Sequence, residues 1–360
     1  MIQLSPANYH LLPRLLRALY DQDNYYALHF DPKIAATDAK HVLSKARDML
    51  DNSGIKQNDR NVLVLEPEVI TYRGMTMTLN FLTGAERLLS TGDWDFFINL
   101  SGADFPTASQ RLMKELLGRV SHANFVEWKP HRTWPSYAKR RLGHFYVDTG
   151  LVTMRSSNGS YLTAFGRQEV DSRNEDDHIR NPIAEHVDFT LAKSSGWVVL
   201  SRRFTRYVLR DSRARRLLVA LGYTDASDEH YFASLLWNSA FRETVVDSNL
   251  RNIFFVAPNG SFAMGSDGKR RRQHPFWVDE LDEASGELMF WRRLWDEPGL
   301  WTRKIRGVNG LCERVEREMI GIGHDVDRVK VREYESRMEK RFGALVTEVT
   351  RVANVDENRN

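Results

Sequence analysis

The feature that most constrains this chain is the repeated alternation of short apolar strands with helical stretches over residues 1–128. Continuous apolar runs bounded by turn residues predict strands, and apolar residues three and four positions apart predict the helices between them. The predicted strands are 25–31, 61–65, 95–100 and 124–128, and the predicted helices are 11–20, 36–50, 74–89 and one that starts at Thr107 or Ser109. Strands and helices that alternate with short connections predict an α/β fold with an open, mostly parallel central sheet flanked by helices.

A less periodic stretch follows over 129–180, and the pattern resumes in the second half of the chain. Here we predict a strand at 196–200, a helix at 202–209, a helix that begins at Asp228 and Glu229 and runs to 236, and a strand at 252–256. The last residues are mainly charged, and 331–352 has the pattern of a surface helix that ends in a frayed tail.

Charge and cysteine content narrow the class of protein. The formal net charge is +3, and the most basic run, Lys269 to Arg272, fits either a solvated loop or a contact with phosphate or an anionic polymer. No DNA- or RNA-binding motif accompanies this run, so we expect no nucleic-acid partner. Cys312 is the single cysteine and cannot form an internal disulfide. No apolar run approaches the ~18–20 residues of a membrane span, and no signal peptide is evident, so we expect any membrane association to need a segment absent from this chain.

The acids near predicted strand ends are the first candidates for chemistry, because open α/β sheets bind ligands beyond the carboxyl ends of their strands. Asp31 ends a predicted strand and fits either a hydrogen-bond acceptor for a nucleotide base or ribose, or an ordinary turn residue. Asp93-Trp94-Asp95 has the spacing of an Asp-X-Asp metal motif, but it precedes its strand and therefore lies at the wrong end of the sheet. The other end offers only Asp104, and one carboxylate makes a poor magnesium or manganese site. We therefore expect no metal.

Two further pairs of charged residues are candidates. Asp228 and Glu229 stand at a predicted helix start, where Ser227 is expected to cap the helix and the acids favour its dipole. A glutamate that faces a cleft from such a helix also fits a general base toward a hydroxyl. Arg303 and Lys304 are adjacent cations that suit a phosphate group. Adjacent cations are common in a chain this rich in arginine, so the pair gains meaning only in combination with other site residues.

Two segments carry a resemblance to a known family. The segments 68–74, Glu-Val-Ile-Thr-Tyr-Arg-Gly, and 93–106, Asp-Trp-Asp-Phe-Phe-Ile-Asn-Leu-Ser-Gly-Ala-Asp-Phe-Pro, resemble the branching-enzyme glycosyltransferases. That family holds core-2 and I-branching β-1,6-N-acetylglucosaminyltransferases, peptide O-xylosyltransferases and plant β-glucuronosyltransferases. The similarity runs in one order over residues 10–310, and the motif that ends in Asp104-Phe105-Pro106 is highly specific.

The resemblance implies a GT-A-type nucleotide-sugar transferase fold and an inverting activity that needs no metal or other cofactor. The donor would be a UDP-sugar and the acceptor a hydroxyl of a glycan or glycoprotein. Residues 1–128 would form the nucleotide-sugar-binding half, 129–310 the acceptor-binding and catalytic half of the same domain, and 311–360 a charged helical tail. The family also implies residence in the Golgi lumen with membrane association.

The resemblance further implies roles for individual residues. Asp31 would contact the uracil or ribose, and Thr71 and Arg73 would lie near the nucleotide. Glu229 would be the general base, and Arg303 and Lys304 would replace a metal at the diphosphate. Asp104, Trp197 and Asp228 would lie near the site, as acceptor contacts or as structural residues.

The chain departs from parts of the family. Animal xylosyltransferases carry an aspartate, assigned as their base, just before the tryptophan that matches Trp197, and this chain has Gly196 there, which argues against xylosyl transfer to a protein serine. Their paired cysteines are absent, and the first strand, expected before Leu11, is short. The donor sugar stays open among glucuronic acid, N-acetylglucosamine and xylose. The alternative function is a non-catalytic glycan- or UDP-binding protein on the same fold. A Rossmann-type enzyme is disfavoured, because the glycine-rich phosphate turn after the first strand is missing.

Overall fold

The computed structural model describes residues 1–55, 60–130, 134, 136–152, 167–169, 181, 183, 189–264, 274–297 and 299–357. The basic run 269–272, for which we predicted a loop or a phosphate contact, lies outside these residues. Within them, no helix has both the length and the apolar character needed to cross a membrane.

The strands of the described chain are short. In chain order they are β1 (Ile2–Leu4), β2 (Tyr26–Phe30), β3 (Val62–Val64), β4 (Phe96–Ile98), β5 (Leu100–Ser101), β6 (Asp104–Pro106), β7 (Asn124–Phe125), β8 (Lys129–Pro130), β9 (Tyr146–Asp148), β10 (Arg167–Glu169), β11 (Ala192–Lys193), β12 (Val199–Ser201), β13 (Val245–Val246), β14 (Arg251–Ile253) and β15 (Trp301–Arg303).

A parallel sheet in the order β3-β2-β1-β5 forms the centre of the first half. β1 pairs with β2 on one side and with β5 on the other, so the short strand before Leu11 occupies an inner position of the sheet. β2 is buried along its whole length, which explains its nearly continuous apolar sequence. The mostly parallel sheet flanked by helices, predicted from the alternating pattern, is confirmed.

The strand predicted at 95–100 is divided between two sheets. β4 pairs antiparallel with β12 in a sheet of order β13-β7-β12-β4, whereas β5 joins the parallel sheet. Between them the buried side chain of Asn99 donates to the carbonyl oxygen of Gly196 at 2.8 Å and accepts from the backbone N–H of Val198 at 2.8 Å. The amide side chain thus satisfies backbone groups where the chain changes sheets.

The third sheet, of order β14-β15-β6, brings residues of the second half against the first. β15 is parallel to β14 and antiparallel to β6, with Arg303 directly opposite Asp104. This register places the predicted cation beside the acid that ends the family-like motif.

Helices are present at or close to the positions predicted at 11–20, 36–50, 74–89, 202–209 and 331–352, and four further helices of the described chain, 136–143, 212–220, 291–296 and 311–315, were not predicted. In chain order the helices are Leu12–Leu19, Ala36–Asn52, Met75–Thr91, Gln110–Gly118, Ser136–Gly143, Arg202–Arg210, Ser212–Ala220, Tyr231–Trp237, Trp291–Asp296, Leu311–Val315 and Arg328–Glu357. Of the two starts considered for the fourth helix, Ser109 is the cap, since its hydroxyl accepts from the backbone N–H of Leu112 at 3.2 Å.

One predicted helix start is wrong. Ser227–Glu229 forms a 3₁₀ turn, and the α-helix begins only at Tyr231. Ser227 does not cap this helix, and its hydroxyl lies 3.1 Å from that of Thr78 instead. The turn is preceded by Ala226 in the left-handed region at φ 58, which separates the acids from the regular helix and holds them in a loop.

The C-terminal helix Arg328–Glu357 packs on the core with one face. Tyr334, Met338, Phe342 and Val346 are buried at helical spacing, and the Phe342 ring lies 5.8 Å from that of Phe125 on β7. Most of the other positions over 328–347 are charged, so this part of the helix is amphipathic and packs on the domain with its apolar face.

Candidate active site

The loop that carries Asp228 and Glu229 is anchored to the start of helix Met75–Thr91. The backbone N–H of Ala226 donates to the carbonyl oxygen of Arg73 at 2.8 Å, and the Arg73 guanidinium forms an ion pair with Asp225. Through these contacts the first half of the chain positions the acidic loop of the second half.

Glu229 is held between two cations. Its Oε2 lies 2.6 Å from Nη1 of Arg141 and 2.8 Å from Nζ of Lys193. Among the described residues none donates a hydrogen bond to its Oε1, and a quarter of the side chain (25%) remains exposed. Burial acts to raise the pKa of Glu229, but the charges of Lys193 and Arg141 outweigh it and hold the pKa below its ordinary value. Glu229 is therefore ionised at neutral pH, with one oxygen fixed and the other available.

Asp228 has a very different environment. It is only 7% exposed, and its Oδ1 is buried without a hydrogen-bond partner in the described structure. Burial, with a smaller contribution from the charge of Glu229, raises the pKa of Asp228 to about 7. His230, two residues on, is fully buried, and burial lowers its pKa to about 3, so it is neutral.

Arg303 is fixed over an aromatic ring. Its guanidinium carbon lies 3.8 Å from the centre of the Trp197 ring, and its Nη1 lies 3.7 Å from Oδ2 of Asp104. Nη1 is buried without a hydrogen-bond partner in the described part of the chain. Burial and the charge of Arg303 lower the pKa of the partly buried Lys304. Arg303 thus carries a fixed donor without a hydrogen-bond partner in the described structure, and the adjacent Lys304 adds a second positive charge.

Asp104 supports this arrangement from inside the protein. It is fully buried, and its Oδ2 accepts hydrogen bonds from the backbone N–H of Ser101 at 2.8 Å and from the Ser101 hydroxyl at 2.6 Å. Nε of the buried Arg251 lies 3.6 Å from its Oδ1. Of the two roles left open for Asp104, these contacts favour the structural one.

The residues expected near the nucleotide lie at two places. Asp31 directly follows β2 at the carboxyl edge of the parallel sheet, where its Oδ1 accepts from the backbone N–H of Lys33 at 2.9 Å, as in an ordinary turn. Thr71 and Arg73 precede helix Met75–Thr91, and the Thr71 hydroxyl is buried without a hydrogen-bond partner in the described structure. Because Arg73 is paired with Asp225, it links the halves in addition to any contact with a ligand.

The Asp-X-Asp triplet lies away from these groups. Asp93 is fully exposed and pairs with Arg202, with Oδ1 2.7 Å from Nη2, at the amino end of β4. Within the described ranges, no three His, Cys, Asp or Glu side chains gather in a cluster suited to a metal ion. A cavity of about 410 Å³ opens at this end of β4, lined among others by Met1, Tyr25 and Trp94, and none of the predicted site residues lines it.

Sequence reasoning missed three charged residues of the acidic loop's surroundings. Arg141 lies in the stretch 129–180, which we described only as less periodic, Lys193 lies on β11, and Asp225 stands just before the predicted helix start. Their proximity arises from contacts far apart in the chain. The only local signal was the cluster of acids over 225–229.

Comparison with known proteins identifies relatives of this chain. The sequence model of the Core-2/I-branching enzymes matches residues 1–289. The chain is 28% identical over 321 residues to beta-glucuronosyltransferase GlcAT14A of Arabidopsis thaliana, which is 87% of this chain and 62% of that protein. It is 27% identical over 343 residues to GlcAT14B of the same plant, 90% of this chain and 66% of that protein. It is 28% identical over 245 residues to human xylosyltransferase 2, 67% of this chain and 24% of that protein. The chain therefore spans less than two-thirds of the length of each of these relatives.

Proposed function

The chain belongs to the Core-2/I-branching enzyme family, and from that premise we propose that it transfers a sugar from a UDP-sugar to a hydroxyl of a glycan or glycoprotein, with inversion. One observation carries the proposal. Glu229 is an ionised carboxylate next to Asp228, and Oδ2 of Asp228 adjoins Gly196. The residue after Gly196 is Trp197, whose ring centre lies 3.8 Å from the guanidinium carbon of Arg303. A carboxylate and a fixed cation linked in this way suit the direct displacement of a diphosphate.

Glu229 is the proposed general base. Its free Oε1 accepts the proton of the acceptor hydroxyl, while Arg141 and Lys193 hold Oε2 and fix the direction of the carboxylate. The acceptor oxygen forms a bond to the anomeric carbon from the face opposite the nucleotide. The bond between that carbon and the β-phosphate oxygen breaks, and its electron pair leaves with UDP.

Arg303 and Lys304 are the proposed partners of the leaving diphosphate. The Nη1 of Arg303 needs a partner, and a phosphate oxygen is the acceptor that suits a fixed guanidinium. Donors that are already oriented stabilise charge as it develops, and the loss of one such donor costs on the order of 3–4 kcal/mol of transition-state stabilisation. We propose that these cations act without a divalent metal.

The relatives limit the donor sugar to three candidates. The plant relatives are named beta-glucuronosyltransferases and the animal ones xylosyltransferases, and family membership adds N-acetylglucosamine. We propose a Golgi lumen location on the same ground of family membership.

The test is UDP release from UDP-glucuronic acid, UDP-N-acetylglucosamine and UDP-xylose in excess EDTA, with candidate acceptors supplied. Wild type is compared with Glu229→Gln and Arg303→Ala. We expect turnover with one donor that EDTA leaves intact and that both variants lose by about 100-fold or more. Turnover that collapses in EDTA would overturn the cation-pair mechanism.

Matched controls come from the exposed face of the C-terminal helix. Glu333 and Arg337 form a surface pair there, with 2.8 Å between Oε1 and Nη2. Glu333→Gln and Arg337→Ala should retain wild-type turnover, which separates loss of the site charges from a general effect of charge removal. No binding of UDP by the wild-type chain would contradict the transferase proposal, and UDP binding without turnover on any acceptor would favour the non-catalytic alternative.

A further inference from the structure

Asp228 is a buried acid that the surrounding loop leaves without a partner. Its neighbours are well neutralised, since Asp225 pairs with Arg73 and Glu229 pairs with Arg141 and Lys193. In the described structure no cation forms an ion pair with Asp228, and its Oδ1 is buried with no hydrogen bond. A buried carboxyl oxygen without a donor is costly, so such a group persists where a ligand supplies the missing donor.

The position of this carboxyl is fixed by the residue opposite. A Cβ atom on Gly196 would clash with Oδ2 of Asp228, so the acid occupies space that only a glycine leaves free. The backbone at Gly196 is itself held, because its carbonyl oxygen accepts from Nδ2 of Asn99 at 2.8 Å. The contacts of Gly196 with Asn99 and with Asp228 thus fix where the unpaired Asp228 carboxyl lies.

The Asp228 carboxyl connects the two parts of the proposed site, the base Glu229 and the cation Arg303. On one side Asp228 adjoins Glu229, the proposed base. On the other side it contacts Gly196, which precedes Trp197, the ring that carries Arg303 at 3.8 Å. In a displacement the transferred sugar must extend from the diphosphate to the acceptor oxygen. With the diphosphate at Arg303 and the acceptor at Glu229, as proposed, Asp228 would lie between the two ends of that sugar.

We propose that Asp228 binds a hydroxyl group of the transferred sugar through its unpaired Oδ1, and that it helps to determine which donor sugar is accepted. This inference rests on the proposed function, because it needs a UDP-sugar in the site. A sugar hydroxyl is a neutral donor that satisfies the oxygen without a cation. The same oxygen would be left unpaired by a donor that lacks the hydroxyl, and such unpaired groups are a strong source of discrimination.

The experiment is isothermal titration of UDP and of the three UDP-sugars into wild type, Asp228→Ala, Asp228→Asn and Gly196→Ala. We expect Asp228→Ala to weaken binding of the preferred UDP-sugar by about 10- to 100-fold, as for a hydrogen bond to a charged group, and to leave UDP affinity unchanged. Asp228→Asn keeps an acceptor oxygen and should lose less. Gly196→Ala should resemble Asp228→Ala, because it displaces the same carboxyl without removing it.

A donor deoxygenated at one position supplies the decisive comparison. If Asp228 binds that hydroxyl, the deoxy donor binds wild type weakly and loses nothing more in Asp228→Ala, so the two changes are not additive. Additive losses at every position would overturn the inference, as would equal losses of UDP and UDP-sugar affinity. Full loss of turnover with unchanged UDP-sugar affinity would also overturn it and would indicate a proton-transfer role instead. Failure of wild type to bind UDP or any UDP-sugar would instead contradict the proposed function.

Discussion

Asp104 and Arg303 face each other across the paired strands β6 and β15, with Oδ2 of the acid 3.7 Å from Nη1 of the guanidinium. Arg251 approaches the other oxygen of the same carboxylate, with Nε at 3.6 Å from Oδ1. One negative charge is therefore shared by two buried cations. The two guanidinium groups together carry one more positive charge than Asp104 balances, and a bound diphosphate would neutralise it. Asp104 is therefore needed to stabilise Arg303 in its buried position.

Replacement of Asp104 by asparagine should destabilise the fold. The change leaves Arg251 and Arg303 buried without a counterion, and removal of one partner of a buried ion pair costs about 3–5 kcal/mol. Urea unfolding would measure the loss. Asp93→Asn is the control, because the fully exposed Asp93 should leave the midpoint unchanged. An Asp104→Asn midpoint equal to that of wild type would contradict the supporting role.

Replacement of Lys193 by methionine should raise the pKa that governs the acid limb of the pH–rate profile. The charge of Lys193 makes the largest contribution among those that lower the pKa of Glu229, and methionine has a side chain of similar length without the charge. A base works only when deprotonated, so activity falls as pH drops through its pKa, and the variant should lose activity at a higher pH than wild type. Plots of kcat/KM against pH would measure the shift. Lys114→Met, which removes a surface partner of Asp21 and Asp23, is the matched control, and an unmoved limb in Lys193→Met would argue against Glu229 as the base.

Replacement of Asp228 by asparagine should stabilise the protein at alkaline pH while it weakens donor binding. The pKa of Asp228 is about 7 in the folded chain against 3.8 for the free group, so the fold binds its proton more tightly than the unfolded chain does. Wild-type stability therefore falls as pH rises from about 4 to 7, and the loss is complete above that window, on the order of a few kcal/mol. Asparagine cannot ionise and avoids the loss.

Thermal unfolding at pH 5 and pH 8 would check this expectation. The advantage of Asp228→Asn over wild type should be larger at pH 8 than at pH 5. Glu333→Gln, on the exposed face of the C-terminal helix, should show no such difference between the two pH values. A variant less stable than wild type at pH 8 would indicate that Asp228 has a structural partner.

The sequence pattern predicted the layered part of the fold well, because that part depends on local periodicity. β2 is apolar along nearly all of its length since both faces are buried, and a serine caps the start of helix Gln110–Gly118. The division of strand 95–100 could not be predicted in the same way. Its apolar residues continue on both sides of Asn99, and only the distant partners Gly196 and Arg251 explain the break.

Sequence reasoning could propose those site residues whose side-chain chemistry stands out within a short motif. Glu229, Arg303 and Lys304 were chosen in this manner, and their roles stay predictions until tested. The cations around Glu229 were not predictable, since Arg141 and Lys193 reach it from separate parts of the chain. The helix start assigned to Asp228 was wrong because local capping rules do not register the left-handed turn at Ala226.

Replacement of Phe342 by alanine should destabilise the whole domain, although the residue lies beyond the family match that ends at 289. Its ring packs 5.8 Å from that of Phe125 on β7, and a buried phenylalanine replaced by alanine costs about 3–5 kcal/mol. Leu345→Ala is the matched control, because Leu345 lies on the same helix but is 38% exposed. Urea unfolding should show one cooperative transition that moves to lower denaturant in Phe342→Ala and hardly moves in Leu345→Ala. If the C-terminal helix were instead an independent tail, Phe342→Ala would leave the main transition in place, and β7 would not depend on this helix for its burial.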